Sequence, residues 1–306
     1  MTHAINFFQQ TLRNAFTCVG KGLHSGYKVV MRVMPGEVNS GYVFERRDVQ
    51  SRWSEIPVRW DTVCDTRLST TIKNKYGVRV CTIEHLLAAL YVCGIDNARI
   101  ILDGPELPVM DGSAAPFLKL IKNAGIKQQN EERHAIVIKQ TVSVSDGHKF
   151  GGFMPSPVPW ASTEIHFDSV AIGYQKFSIP IDGPSFESEL AAARTFGFIE
   201  QKSTLNQLGL AQGSSLQNTV VVDKNNIMNH EGLRYKDEFV RHKLVDVIGD
   251  IATLGALLFG HVTTKFAGHQ VNHALIRELM NQPHTLQRTS LREAHLLWKH
   301  LIAMKN

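Results

Sequence analysis

The sequence is short of several things, and each shortage narrows its class. Its four cysteines, Cys18, Cys64, Cys81 and Cys93, form no CxxC pair and no dense framework. That excludes a disulfide scaffold and fits a reducing compartment, with the thiols read as buried and free. No block of five or six basic residues appears and the formal net charge is a mild +5. A nucleic-acid-binding surface is therefore not indicated, whereas an anionic small-molecule substrate is compatible. Long apolar runs are missing too: the longest, Ile251 to Gly260, is far too short to span a bilayer. The opening "MTHAINFFQQTLRNAF" does not combine a basic start, an apolar core and a small-residue cleavage site, so it does not read as a signal peptide. The expectation is a cytoplasmic protein of bacterial type.

What is present is apolar material for a core: 306 residues, 43% of them hydrophobic, a length that suggests two domains. "YKVVMRVMP" alternates like a half-buried strand, and "CTIEHLLAALYVCG" has helical periodicity with a closing glycine. "NARIILDGPELPV" reads as a strand leaving through a turn-rich loop. "SAAPFLKLIKNAG" reads as a helix capped by Ser113 and ended at Gly125. The polar stretch "IKQQNEERH", 126–134, is the linker candidate, dividing the chain into 1–126 and 134–306. The second half offers strands at "AIVIKQTVSVSDG", "TEIHFDS" and "QKFSIPID", a long helix, a strand at "GHVTTKFAG" and a C-terminal helix. The similar order of elements hints at a duplicated α+β unit, although no sequence repeat is visible.

The long helix contains "EFVRHKLVDVIGD", 238–250, in which His242, Asp246 and Asp250 stand four residues apart. They span about 80° of the circumference, with Lys243 beside them. One reading is a solvated polar face. Against it, the helix continues into the apolar "IATLGALLFG", and carboxylates carried into such a setting need a compensating cation or donor. A metal ion would provide one, since a His and an Asp at i and i+4 can ligate one ion. A catalytic zinc with a third protein ligand would need another imidazole, for which His85 in "TIEHLLAAL" is the candidate. Glu84 beside it is suited to take a proton from water. An EH pair alone is equally an ordinary surface feature of a helix.

Longer motifs carry a resemblance. These are "VGKGLHSG" (19–26), "TIEHLLAAL" (82–90), "GIDNARI" (94–100), "LPVMDGSAAPF" (107–117), "ARTFGF" (193–198), "EGLRYKDEFVRHKLVDVIGD" (231–250) and "AGHQVNH" (267–273). In this order, from about Thr11 to about Asn281, the chain resembles the zinc-dependent UDP-3-O-acyl-N-acetylglucosamine deacetylase family of bacterial lipid A synthesis. The resemblance implies His85, His242 and Asp246 as zinc ligands, with Fe2+ an alternative metal, and Glu84 as general base. It implies His269 as cation and proton donor, with Asp250 orienting its imidazole. Thr195 would hold the oxyanion, Phe196 and Phe198 would wall the sugar, and Lys243 would touch substrate. Lys149 is a further candidate contact on the uridine or diphosphate side. The partner implied is a small acylated UDP-amino sugar, and the working unit a monomer.

Other stretches have structural readings. "VGKGLHSG" lacks the Lys-Ser or Lys-Thr of a phosphate loop and reads as a tight turn between strands. "LPVMDGSAAPF" reads as a turn and helix cap. The segment 198–222 reads as strand, short helix and strand. In the family a comparable insert forms an acyl-chain passage, which Leu205, Leu208, Leu210 and Leu216 would line, although their spacing fits ordinary core equally. Phe266 stands where many relatives have lysine, and "GSSLQN" (213–218), with Gln217, departs from a glycine-rich, acidic pattern. The rival readings are a non-catalytic nucleotide-sugar-binding pseudoenzyme and a zinc hydrolase of another amide. A non-haem iron oxygenase is disfavoured because its His and Asp stand two apart on strands. The fold expected is α+β: two similar sheet-and-helix domains packed face to face, with the metal between them.

Overall fold

The structure is a computed structural model that describes residues 6–303, with side chains described through residue 297. It is a mixed α and β protein whose two main sheets share one topology. Strands Phe16–Lys21, Lys28–Pro35, Ala98–Leu102, Tyr42–Arg46 and Glu55–Pro57 lie in that order across the first. Strands Val142–Asp146, Lys149–Met154, His261–Lys265, Trp160–Phe167 and Gly173–Pro180 lie in that order across the second. In both, the last strand in sequence inserts at the centre, antiparallel to one neighbour and parallel to the other. The duplicated unit is thus carried by topology, where residue identities hide it.

Seven helices occur among the described residues: α1 (Glu84–Val92), α2 (Ala115–Ala124), α3 (Gly183–Glu189), α4 (Lys202–Gln207), α5 (Glu238–Ile251), α6 (His269–Asn281) and α7 (Leu291–Ala303). In the first half α1 precedes the central strand and α2 follows it; in the second, α5 precedes and α6 follows. A parallel pairing requires such a crossover, and a helix is the usual way to cover the sheet while making it. None of these helices is long and apolar enough to cross a membrane.

Helices α1 and α5 pack on each other, and neither has a solvated face. Every α1 residue from Glu84 to Tyr91 is buried, and in α5 only Arg241 and Lys243 are not. The polar stripe of α5 is therefore interior, which removes the surface reading of His242, Asp246 and Asp250. Leu86 and Leu90 of α1, Leu244 and Ile248 of α5, and Phe153 and Ala161 of the second sheet belong to one continuous apolar core. The two halves share that core and bury their helices in each other.

Several local expectations are corrected. The polar stretch 126–134 is not a free linker: Ile126–Glu132 is a strand paired antiparallel with Phe8–Leu12, which ties it down by backbone hydrogen bonds. "AIVIKQTVSVSDG" divides into His134–Ile138 and Val142–Asp146, and the first of these joins a separate sheet between Leu257–Phe259 and Leu286–Ser290. Ser113 stands one residue ahead of the cap position, Ala114: its hydroxyl accepts from the Ala115 backbone N–H at 3.3 Å, at the start of α2, while donating to Asp111 Oδ1 at 2.8 Å. Gly125 does end α2, with φ +74°. The four thiols are free, but only Cys18 is buried; the other three are half-buried.

Gly249 sets how closely α5 approaches α1. A Cβ there would lie 2.1 Å from the backbone oxygen of Glu84. An unconstrained helical glycine gains about 1 kcal/mol on replacement by alanine. Here Gly249→Ala is expected to destabilise the protein by about 2 kcal/mol or more, because the helices must part. Urea denaturation decides between the two, and a stabilised variant would contradict the close crossing.

Candidate metal centre

The crossing of α1 and α5 converges two histidines and an aspartate. His85 lies in the first turn of α1; His242 and Asp246 lie one turn apart in α5. Nε2 of His85 is 3.7 Å from Asp246 Oδ1, and Nε2 of His242 is 3.5 Å from the same oxygen. The two imidazoles meet edge to face, with centroids 4.9 Å apart. Ligand atoms held tetrahedrally at zinc-type distances lie about 3.3–3.6 Å from one another. Each imidazole nitrogen therefore already stands from Asp246 Oδ1 at nearly the separation that one shared ion would impose, the three donor atoms lie within 4.8 Å of one another, and all three residues are buried.

Protonation states favour the same use. His242 donates from Nδ1 to the carbonyl of Ala193 at 3.0 Å, which leaves Nε2 as the lone-pair nitrogen. Burial lowers its pKa to about 3, outweighing Asp246, so the ring is neutral and fit to ligate at physiological pH. Burial opposes ionisation of Asp246, but charged neighbours led by the Lys243 ammonium outweigh it and hold the carboxyl well below the ordinary range. Lys243 donates from Nζ to Asp246 Oδ2 at 3.0 Å, occupying the oxygen that faces away from the two imidazoles.

A second cluster adjoins the first. Glu84, Asp246 and His269 converge, with His269 Nε2 3.9 Å from Glu84 Oε1 and 3.9 Å from Asp246 Oδ2. Glu84 accepts from the Thr70 backbone at 3.1 Å, and burial raises its pKa despite His269 and His85 nearby. His269 opens α6 and donates from Nδ1 to Asp250 Oδ2 at 2.8 Å. Burial pulls this imidazole down, but the Asp250 carboxylate outweighs it and its pKa is pushed up to about 9. Asp250 is itself wholly buried, and burial opposes its charge; His269 and His273 nevertheless hold it far below the ordinary range.

Sequence reasoning missed the groups that make this possible. Besides His269, Asp250 accepts from Thr70 Oγ1 at 2.5 Å, Asn272 Nδ2 at 2.8 Å and His273 Nε2 at 3.1 Å. A carboxylate with four donors can stay ionised without solvent. The available signal was the spacing of His269 and His273, i and i+4 on one helix; Thr70, 180 residues from Asp250, gave none.

Both clusters open into a cavity of about 750 Å³. Of the predicted site residues, Glu84, His85, Lys149, Thr195, Phe196, Phe198, His242, Lys243, Asp246 and His269 all line it, while Asp250 sits behind His269. Thr195 donates its backbone N–H to Gly112 O at 2.8 Å, so the turn of "LPVMDGSAAPF" supports the wall. The 198–222 segment folds as expected, with Phe196–Phe198 parallel to Val220–Asp223 and α4 between them. Leu205 and Leu216 line the cavity; Leu208 and Leu210 do not, and Leu208 is largely exposed. Phe266, with φ +51°, is absent from the lining and contacts the rings of His148 and His166.

The chain is similar to known proteins over most of its length. The family model described as LpxC, UDP-3-O-acyl N-acetylglycosamine deacetylase, matches residues 9–281. A UDP-3-O-acyl-N-acetylglucosamine deacetylase of Geotalea uraniireducens (strain Rf4) is 46% identical over 275 residues, 90% of this chain and 89% of the relative. Proteins of the same name from Myxococcus xanthus (strain DK1622) and Campylobacter lari (strain RM2100) are 44% and 40% identical, covering 91% and 94% of this chain and 88% and 96% of the relatives.

The His269–Asp250 pair makes stability depend on pH. The folded pKa of about 9 lies above the ordinary 6.5. The pair's contribution is therefore complete below pH 6.5 and is lost as pH rises through 9. In metal-free protein, the stability advantage of wild type over Asp250→Asn should narrow by a few kcal/mol across that window, since each tenfold gain in proton affinity is worth about 1.4 kcal/mol. Denaturant titrations at a series of pH values measure it. A constant difference would mean that His269 is not held as a cation by Asp250.

Proposed function

The chain belongs to the UDP-3-O-acyl N-acetylglycosamine deacetylase family, and we propose from this that it removes the N-acetyl group of a UDP-3-O-acyl-N-acetylglucosamine. The products are acetate and a free glucosamine amine, in a step of lipid A biosynthesis. The observation that carries the reading is the convergence of His85, His242 and Asp246 on one point of a largely apolar cavity, flanked by Glu84 and His269.

The donor set of two imidazoles and a carboxylate suits zinc, with Fe2+ as the alternative for the same ligands. Held there by His85, His242 and Asp246, a divalent ion would supply Lewis acidity toward water and the amide carbonyl. Glu84, raised by its burial, takes the proton as water attacks. His269, kept cationic by Asp250, stabilises the developing oxyanion and gives its proton to the leaving nitrogen. Without that proton the amine would be a poor leaving group. The Thr195 hydroxyl is a second donor to the oxyanion.

Substrate recognition divides along the cavity. Phe196 and Phe198 offer apolar walls to the sugar; Lys243 offers a substrate contact beside the metal ligands, and Lys149 a cation to the anionic nucleotide side. Leu205 and Leu216, with the rest of the 198–222 insert, offer an apolar surface to the acyl chain. The domains proposed are 1–126 and 134–306, each contributing ligands. Since one chain supplies every group in the reading, a monomer suffices. Free thiols and a nucleotide-sugar substrate fit a cytoplasmic setting.

Acetate release from the acylated UDP-sugar by metal-replete protein tests the reading. Glu84→Ala should slow turnover by about 10²-fold or more while retaining its bound metal. Wild-type turnover in the presence of a strong chelator, or near-normal turnover by Glu84→Ala, would contradict it.

A further inference from the structure

The peptide group joining Ala193 to Arg194 is gripped from both ends by one helix. Its carbonyl accepts the Nδ1–H of His242 at 3.0 Å, and its N–H donates to Glu238 Oε1 at 2.9 Å. Glu238 and His242 stand at i and i+4 on α5, so a carboxylate and a candidate metal ligand on one face share a single peptide plane. Glu238 is completely buried, and its oxygens also accept from Arg194 Nε at 2.9 Å, Arg194 Nη2 at 3.2 Å and the Arg234 backbone at 2.7 Å. Arg194 in turn reaches Glu231 Oε1 at 2.6 Å, so two carboxylates face one guanidinium.

We propose that Glu238 is a positioning residue for the metal centre, acting on His242 through the Ala193–Arg194 peptide. A carboxylate accepting from the N–H of an amide draws that group's polarity toward its carbonyl oxygen, and chained hydrogen bonds strengthen one another in a low-dielectric interior. The strengthened carbonyl then holds the His242 Nδ1–H more firmly. This fixes the ring's tautomer and orientation and makes Nε2 the better donor to a metal. Metal-binding histidines commonly have a carboxylate or a carbonyl behind them; here the carbonyl has a carboxylate behind it, one peptide further out. The inference rests on the ligand assignment of His242 made above.

The test is the zinc affinity of folded protein, measured by competition with a chromophoric chelator. Glu238→Gln keeps the side chain's shape but not its charge, and is expected to weaken zinc by up to about 10-fold, the lower end of the loss seen when a ligand's own partner is removed, because the Ala193 carbonyl stays in place. Glu231→Gln disturbs the same guanidinium without touching the peptide and should leave the affinity unchanged. Equal losses in both variants, or no loss in folded Glu238→Gln, would overturn the relay. Wild-type protein that bound no zinc would overturn the ligand assignment and the relay with it. Because Glu238→Gln leaves Arg194 short of a buried partner, a second measurement uses the wild type alone. On zinc loading, the Arg194 amide proton should move downfield in the NMR spectrum as the chain of hydrogen bonds tightens. An amide that does not move would overturn the proposal independently of any variant.

Discussion

The close crossing of α1 and α5 is the constraint from which the rest follows. It exists because Gly249 has no side chain where the backbone of Glu84 passes. It places three carboxylates, Glu84, Asp246 and Asp250, in the protein interior beside only two cationic partners, Lys243 and His269. An interior left short of positive charge is costly. A dication held, as proposed, on His85, His242 and Asp246 would supply the missing positive charge, so the electrostatics of this crossing favour a metal.

Duplication explains how the chain builds such a crossing. Each half makes the same five-stranded sheet and inserts its last strand at the centre after a helix. The equivalent helices α1 and α5 then meet at the junction. They contribute differently: α1 brings Glu84 and His85 in its first turn, while α5 presents His242, Asp246 and Asp250 from successive turns of one stripe. The departure from symmetry is chemical, since a hydrolytic site needs ligands, a base and an acid in different places. Helix α6 supplies the proposed acid, His269, from its first residue, and its next turn, with Asn272 and His273, secures Asp250 behind it.

Part of this was legible in the sequence because it is local. The stripe of α5 is a periodicity within thirteen residues, and its apolar continuation argues for burial by itself. His85 became meaningful only through the longer motifs around it, since an EH pair is common on helices. Thr70, Asn272 and His273 were not legible as partners of Asp250, because the pairing is made by tertiary packing across as many as 180 residues. The polar run 126–134 misleads for a related reason: its polarity speaks of solvent, but the backbone partner that makes Ile126–Glu132 a strand lies more than a hundred residues away, at Phe8–Leu12. Ser113, legible by residue type at the start of α2, accepts the Ala115 N–H there, and Asp111 two residues earlier takes its hydroxyl proton.

The central claim is that one ion binds between the halves on His85, His242 and Asp246. Anomalous diffraction at the zinc edge, from crystals of zinc-loaded protein, tests it most directly. The account predicts a single strong peak at about 2.0–2.2 Å from Nε2 of His85, Nε2 of His242 and a carboxylate oxygen of Asp246. A peak centred instead among Glu84, Asp246 and His269, the other converging cluster, would contradict it, because it would turn the proposed base and acid into ligands.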